Sequence, residues 1–322
     1  MSRGKKWITA AFILLGSGVL VCFITVAVLG FDFKRLSTVQ YVTNTYDVGD
    51  DFKDIAISAD IEDITFVLSE DGKCRVVCYE EEGDPHEVKI QGDTLSIVRS
   101  KKWKWNVGII MDSPEITVYL PNSHYGTLTV DGDTGSVLIP GDFSFEGIDV
   151  KLDTGNISCK ASVSGDISVS TDTGHIAIAE LSASGMILIS DTGGMDISDV
   201  ELEENISITE GTGRVVMNNV SCRNFASDGD TGSLNMTNVI ASDEFNLERD
   251  TGNIEFNHCD AGTIYVSTDT GTVTGTLLTD KVFIVETDTG SVDVPKTITG
   301  GRCEITTDTG NIRITVERKQ EP

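Results

Sequence analysis

A single tripeptide recurs ten times between Asp133 and Gly310, at a spacing of 19 or 20 residues. Its copies start at Asp133, Asp153, Asp172, Asp191, Gly211, Asp230, Asp250, Asp269, Asp288 and Asp308; nine read Asp-Thr-Gly and the fifth reads Gly-Thr-Gly. A fixed period of this size marks a solenoid, whose units bury their apolar sides by stacking on their neighbours. Such a molecule is a long surface before it is a pocket.

The slots around the tripeptide say what each unit is made of. Four residues after each start stand Val137, Ile157, Ile176, Met195, Val215, Leu234, Ile254, Val273, Val292 and Ile312, apolar in all ten copies. Two residues further the slot is apolar in nine, Gly275 being the exception. Before each start a second alternating pair appears, as in Ile148 and Val150, Ile206 and Ile208, or Phe245 and Leu247. A two-residue period is a strand signature, so each rung reads as strand, tight turn, strand and looser corner. The expected fold is all-β, a parallel β-solenoid (β-helix) of about ten rungs, roughly 45 Å long at about 4.8 Å per rung.

Asp-Thr-Gly suits the tight corner. An Asp side chain accepts a backbone N–H two residues on, Gly takes a positive φ without steric cost, and the Thr column can hydrogen-bond along the stack. Stacked carboxylates about 4.8 Å apart repel by roughly 1 kcal/mol in a water-like dielectric. Turn hydrogen bonding with solvation offsets this. The alternative is a row of divalent cations on Asp133, Asp153, Asp172, Asp191, Asp230, Asp250, Asp269, Asp288 and Asp308. Against that, a calcium site wants six to eight oxygens, and the Gly-Gly-x-Gly-x-Asp nonapeptide is absent.

The first 31 residues are a different material. Trp7 to Phe31 is a run of 25 residues without a charge, about 37 Å if helical, which is enough to span a bilayer with some tilt. Arg3, Lys5 and Lys6 precede it and Lys34 and Arg35 follow, a bias that places the N-terminus in the cytoplasm and the rest outside. A cleaved secretory signal is the alternative, but the apolar run exceeds the usual 7 to 15 residues. The expected organisation is a cytoplasmic stub over 1–6, a transmembrane anchor over 7–31, a polar linker over 32–50, a β-rich cap over 51–126, the solenoid over 127–316 and a polar tail over 317–322.

Charge narrows the partners. Residues 1–35 hold five of the 24 Lys and Arg and one of the 51 Asp and Glu, which leaves 19 against 50 and a net of −31. Nucleic acid and anionic lipid are poor partners for such a surface. An envelope protein, a cationic peptide or a neutral glycan fits better. One cluster breaks the acidic background, Lys101, Lys102, Trp103, Lys104 and Trp105. Interleaved Trp and Lys suit a membrane interface or a glycan contact, and equally a hairpin whose rings pack on the cap while its lysines stay wet.

The seven cysteines do not read as a disulfide framework. Cys159, Cys259 and Cys303 occupy slots that neighbouring rungs fill with apolar residues, and Cys222 falls where other rungs place Leu202, Ala241 and Ala261. Cys74 and Cys78 lie on one face of a strand, too far apart to bond to each other.

Catalysis finds little support. Asp-Thr-Gly is also the tripeptide of aspartic proteases, which need two carboxylates sharing a proton in a cleft, whereas a rung stack makes a ladder of equivalents. A polysaccharide-cleaving β-helix needs an insertion where acids converge, and the period never slips by more than one residue. His86, His124, His175 and His258 share no metal spacing and read as scattered surface residues. No catalytic residue, metal or cofactor is expected.

Three stretches carry a resemblance: Ile57-Ser58-Ala59-Asp60-Ile61-Glu62 with its following strand, Ile116-Thr117-Val118-Tyr119-Leu120-Pro121, and the Thr-Gly-x-Ile-x-Ile rungs. Over roughly residues 40 to 316 the chain resembles the bacterial β-strand-repeat family of putative adhesins, a domain family of unknown function from membrane-linked envelope proteins. The resemblance implies an envelope location, adhesion or scaffolding, and association with envelope-stress systems. It brings no catalytic residues.

Overall fold

The computed structural model describes residues 3–28, 30–31, 39–99 and 113–317. One α-helix, Arg3–Val28, leads the chain. It stops where Gly30 and Phe31 take left-handed φ of 69° and 61°, with Gly30 N–H donating to Ala27 O and Phe31 N–H to Val26 O. The rest of the described chain is β, a solenoid of about ten turns.

Stacking follows the period. Ile157 pairs in parallel with Ile176, Ile176 with Met195, Met195 with Val215 and Val215 with Leu234, so equivalent slots of successive rungs lie directly over one another. The apolar columns are buried: Ile157, Ile176, Met195, Val215, Leu234 and Ile254 are each wholly enclosed. Cys159, Cys222, Cys259 and Cys303 fill the same interior and are free thiols, as are the buried Cys74 and Cys78.

Each full rung has three inward-facing segments rather than two. In the strand Val215–Thr231 these are Val215 with Met217, Val220 with Cys222, and Phe225 with Ser227. The extra face begins at a corner where Glu180, Asp199, Asn219, Asn238 and His258, one per rung, take φ between 53° and 57°. Asn and Asp tolerate this conformation better than other side chains, and here they also bond along the stack. Asn219 Nδ2 donates to Asp199 Oδ1 at 2.8 Å, and Asn238 Nδ2 to Asn219 Oδ1 at 3.0 Å.

At the Asp-Thr-Gly corner the expected turn chemistry is replaced by chemistry between rungs. The glycine N–H that an Asp side chain would accept goes instead to the next rung, Gly155 N–H to Thr173 O at 2.8 Å and Gly174 N–H to Thr192 O at 2.9 Å. Hydroxyl bonds along the stack come from the residue before the tripeptide, Thr171 to Gly155 O at 3.3 Å and Thr307 to Gly271 O at 3.1 Å, not from the tripeptide's own Thr. Glycine is required by proximity more than by φ. A Cβ on Gly174 (φ 159°) would lie 1.8 Å from Gly155 O, and one on Gly252, outside the positive-φ region, would equally lie 1.8 Å from Gly232 O.

Both ends depart from chain order. Asp54–Ala59 and Asp63–Leu68 form a rung directly against 128–138, and Thr94–Arg99 with Glu115–Leu120 forms the rung outside it. That outer rung is closed by antiparallel strands, His86–Gln91 on one side and Cys74–Glu81 on the other, the latter paired in turn with Tyr41–Val48. The expected linker therefore contains a strand, Tyr41–Val48, whose β-branched and aromatic residues supply an edge. At the far end Gly301–Thr309 inserts between Ile254–Thr270 and Lys281–Thr289. Lys281–Thr289 is thus the last layer, and among the described residues its outer edge has no strand partner. Val292 accordingly departs from its buried column, 45 % exposed.

The corner contact makes a direct prediction. Gly174→Ala should lower stability by about 1–3 kcal/mol through overpacking against a backbone atom, read as a fall in the urea midpoint. Gly141→Ala, whose Cβ would sit at an ordinary 3.5 Å from Lys160 O, should change it little. Equal midpoints for the two variants would show that the corners have room to spread.

Candidate functional site

The nine aspartates sit together on one corner, and all are exposed. Among the described residues none of their carboxylates makes a side-chain hydrogen bond or ion pair. Gly211 divides the column into a run of four, Asp133 to Asp191, and a run of five, Asp230 to Asp308. Because rungs stack at about 4.8 Å, each run is a line of unengaged anionic groups. The Lys101, Lys102, Trp103, Lys104 and Trp105 cluster lies outside the described residues.

Burial collects polar groups in two further places. The first is under the cap. Glu80 accepts from Asn44 Nδ2 (2.6 Å), Tyr46 O–H (2.6 Å), His86 N–H (2.7 Å) and His86 Nδ1 (2.5 Å). Burial works to raise its pKa, but these donors outweigh that and hold the carboxyl below its usual range. Burial, followed by contact with Glu80, pushes the Tyr46 hydroxyl well up. Burial with Glu80 and Glu62 beside it takes the Cys78 thiol up to about 12.

The other ring nitrogen of His86, Nε2, has no hydrogen-bond partner and lies 3.6 Å from Glu62 Oε1. Glu62 Oε2 accepts the backbone N–H of Asp60 and of Ile61. Arg99 closes the cluster, 3.2 Å from Asp60, 3.5 Å from Asp84 and 3.6 Å from both Glu62 and Glu81. His86 is therefore no surface histidine; its side chain is 1 % exposed. The other three are peripheral: His175 Nε2 lies 3.1 Å from Asp196, His258 Nε2 2.8 Å from Glu317, and His124 Nδ1 3.0 Å from Ser144 Oγ.

The second place is inside the stack. Arg249 and Glu210 are each 1 % exposed, and Nη2 lies 3.8 Å from Oε2 across the intervening rung. That rung has Gly229 in the slot, where a Cβ would meet Arg249 Nη1 at 2.2 Å. Arg249 Nη2 also donates to Ser227 Oγ at 2.9 Å. Burial raises the Glu210 carboxyl, with Arg249 opposing, and burial lowers the Arg249 guanidinium.

Alternation contained the signal for both clusters. Glu80 continues the inward phase of Cys74, Val76 and Cys78; Arg249 continues that of Phe245 and Leu247; Glu210 that of Ile206 and Ile208. Outside, the faces carry open recesses, such as that lined by Asn246, Glu248, Tyr265, Ser267, Glu304 and Thr306.

Rung geometry, glycine column and antiparallel end closure together define a parallel β-solenoid repeat protein. The family described as Toastrack DUF4097 matches residues 52–230, more than half of the 322-residue chain, and the chain belongs to that family. Three solved structures are similar in shape. A "putative adhesin" from Bacteroides fragilis NCTC 9343 is 15 % identical, with 86 % of this chain and 97 % of that one covered and a TM-score of 0.40. A "putative lipid binding protein" from Parabacteroides distasonis ATCC 8503 is 12 % identical, with coverage of 87 % and 98 % and a TM-score of 0.46. A "putative adhesin" from Parabacteroides merdae ATCC 43184 is 12 % identical, with coverage of 86 % and 96 % and a TM-score of 0.37. Likeness this distant says nothing of a ligand. No curated protein matches the chain.

The interior pair is testable by a double-mutant cycle. Arg249→Met leaves Glu210 buried without its partner and should cost about 3–5 kcal/mol, whereas Glu210→Met with Arg249→Met should recover most of that loss. Denaturant unfolding of the wild type, the two single variants and the double variant reads the coupling; a double-variant loss equal to the sum of the two single losses would mean that the two side chains act separately.

Proposed function

We propose that the protein is a membrane-anchored, extracytoplasmic binding scaffold whose aspartate corner engages a cationic partner, a basic segment of an envelope protein or a cationic peptide. The observation that carries this is the line of exposed carboxylates left unengaged because their turn N–H groups serve the next rung. A repeated charge at fixed spacing binds multivalently, since each further contact is made at high effective concentration. The net charge of −27 adds long-range attraction for cations. Binding rather than turnover is supported by a repeat that runs without an insertion between Asp133 and Gly310.

Anchoring is supported by the first helix. Trp7–Val28 is 22 residues long, with a mean hydropathy of 2.6 over an 18-residue window, long and apolar enough to cross a bilayer. With Arg3, Lys5 and Lys6 on one side, the proposed topology is single-pass with the N-terminus cytoplasmic. Protease added to intact, wall-stripped cells should then remove the folded part. A full-length chain protected inside the cell would reverse the topology.

The ladder is tested with oligolysine. Binding to the full chain should weaken steeply as salt rises past about 0.1 M. Replacing Asp133, Asp153, Asp172 and Asp191 by Asn should weaken it by about tenfold, since four partly screened contacts of a few tenths of a kcal/mol each are lost. Calcium should raise the melting temperature little, because one carboxylate per rung falls short of six to eight oxygens. Undiminished oligolysine affinity in the fourfold variant would remove the ladder from the binding surface.

A further inference from the structure

We propose that the cap holds a divalent ion of the zinc class between Cys78, His86 Nε2 and the carboxylate of Glu62, with Glu80 holding the other ring nitrogen, Nδ1. Cys78 and Glu80 lie two apart on the inward face of Cys74–Glu81, and His86 opens the next strand along the chain. A ligand atom from each of Cys78, Glu80 and His86 lies within 4.8 Å of the others, all three residues being buried. Glu62 arrives from the corner of the first rung, 3.6 Å from His86 Nε2.

Three features point to an ion rather than to a plain hydrogen-bonded cluster. First, His86 Nε2 is a buried ring nitrogen with no hydrogen-bond partner, aimed at a carboxylate too distant to bond. An unpaired polar atom in such a place costs free energy that a coordinate bond would recover. Second, the two ring nitrogens each face a carboxylate, Nδ1 toward Glu80 at 2.5 Å and Nε2 toward Glu62. An ion on Nε2 leaves Glu80 on Nδ1, the arrangement that fixes the ring of a metal-bound histidine.

Third, the charges do not balance. Asp60, Glu62, Glu80 and Asp84 surround Arg99 and His86, so even a charged imidazole leaves a surplus of negative charge. A divalent cation offsets it. The mixed set of one sulfur, one nitrogen and carboxylate oxygens selects zinc over calcium or magnesium, which take oxygens alone. As the ion binds, the Cys78 thiol gives its proton to solvent and coordinates as thiolate. The ion would clip these two strands to the corner formed by Asp60 and Glu62, fastening the closed end of the stack.

The test uses the full chain purified in detergent, loaded with zinc and desalted, with metal counted by mass spectrometry. One zinc per chain is expected, and cobalt(II) in its place should show the intense thiolate-to-metal charge-transfer band in the near ultraviolet. Cys78→Ser should abolish the band, and His86→Gln should weaken zinc binding by more than about tenfold. Cys222→Ser, a buried thiol in a distant rung, should leave both readouts intact. A folded wild-type chain, checked by circular dichroism, that retains no zinc and gives no band overturns the site whatever the variants do. A band that survives in Cys78→Ser overturns it as well.

Discussion

Everything in this molecule follows from how closely its rungs approach at one corner. Parallel strands stack at about 4.8 Å, and at the Asp-Thr-Gly corner that spacing brings a carbonyl oxygen to within 1.8 Å of where the next glycine's Cβ would stand, as between Gly155 and Gly174. Only a residue without Cβ fits, whether its φ is positive, as at Gly174, or not, as at Gly252. The same closeness lets the glycine N–H reach the neighbouring rung's Thr carbonyl. The Asp side chain, thereby deprived of its turn donor, faces solvent. A packing requirement in the backbone thus produces a line of free carboxylates on the surface.

Much of this was legible because a two-residue alternation repeated ten times leaves few alternatives. The inward columns, the buried cysteines and the all-β architecture are consequences of slot composition alone. The third face of each rung was harder. Its corner is turned by Glu180, Asp199, Asn219, Asn238 and His258 in left-handed conformation, and no glycine stands there to announce it. His86 was misread because its partners Glu80 and Glu62 are brought to it by the turn between two strands and by a distant corner. No spacing between histidines could reveal that.

The order of the rungs was not legible at all, and the reason is physical. Every corner offers the same donors, acceptors and clearance, so any rung can stack on any other. A Cβ on Gly310 would lie 1.8 Å from Gly271 O, and one on Gly290 would lie 1.9 Å from Gly310 O, the same fit found between sequential rungs elsewhere. Periodicity fixes which slots align and is silent on which unit lies between which. The ends exploit this freedom. At the start, the swap lets antiparallel strands cover an edge that would otherwise pair with other chains, and it brings Cys78, Glu80, His86 and Glu62 into one place.

A degenerate stack needs addresses, and two ion pairs, one wholly buried and one partly, supply them. Glu210 and Arg249 belong to rungs that are not adjacent, and they meet only across a rung with glycine in the slot, Gly229. Lys281 and Asp260 repeat the device at the swapped end. Their charged groups lie 2.6 Å apart across the inserted rung, which presents Gly301 opposite Lys281. A side chain on either glycine would collide, at Gly229 with the guanidinium and at Gly301 with Gly262 O, 1.9 Å away. A misordered stack would leave an unpaired charge in the interior, a penalty of about 3–5 kcal/mol. Apolar columns supply most of the driving force and specify no order; one charge on each side of a glycine specifies which rung must come between.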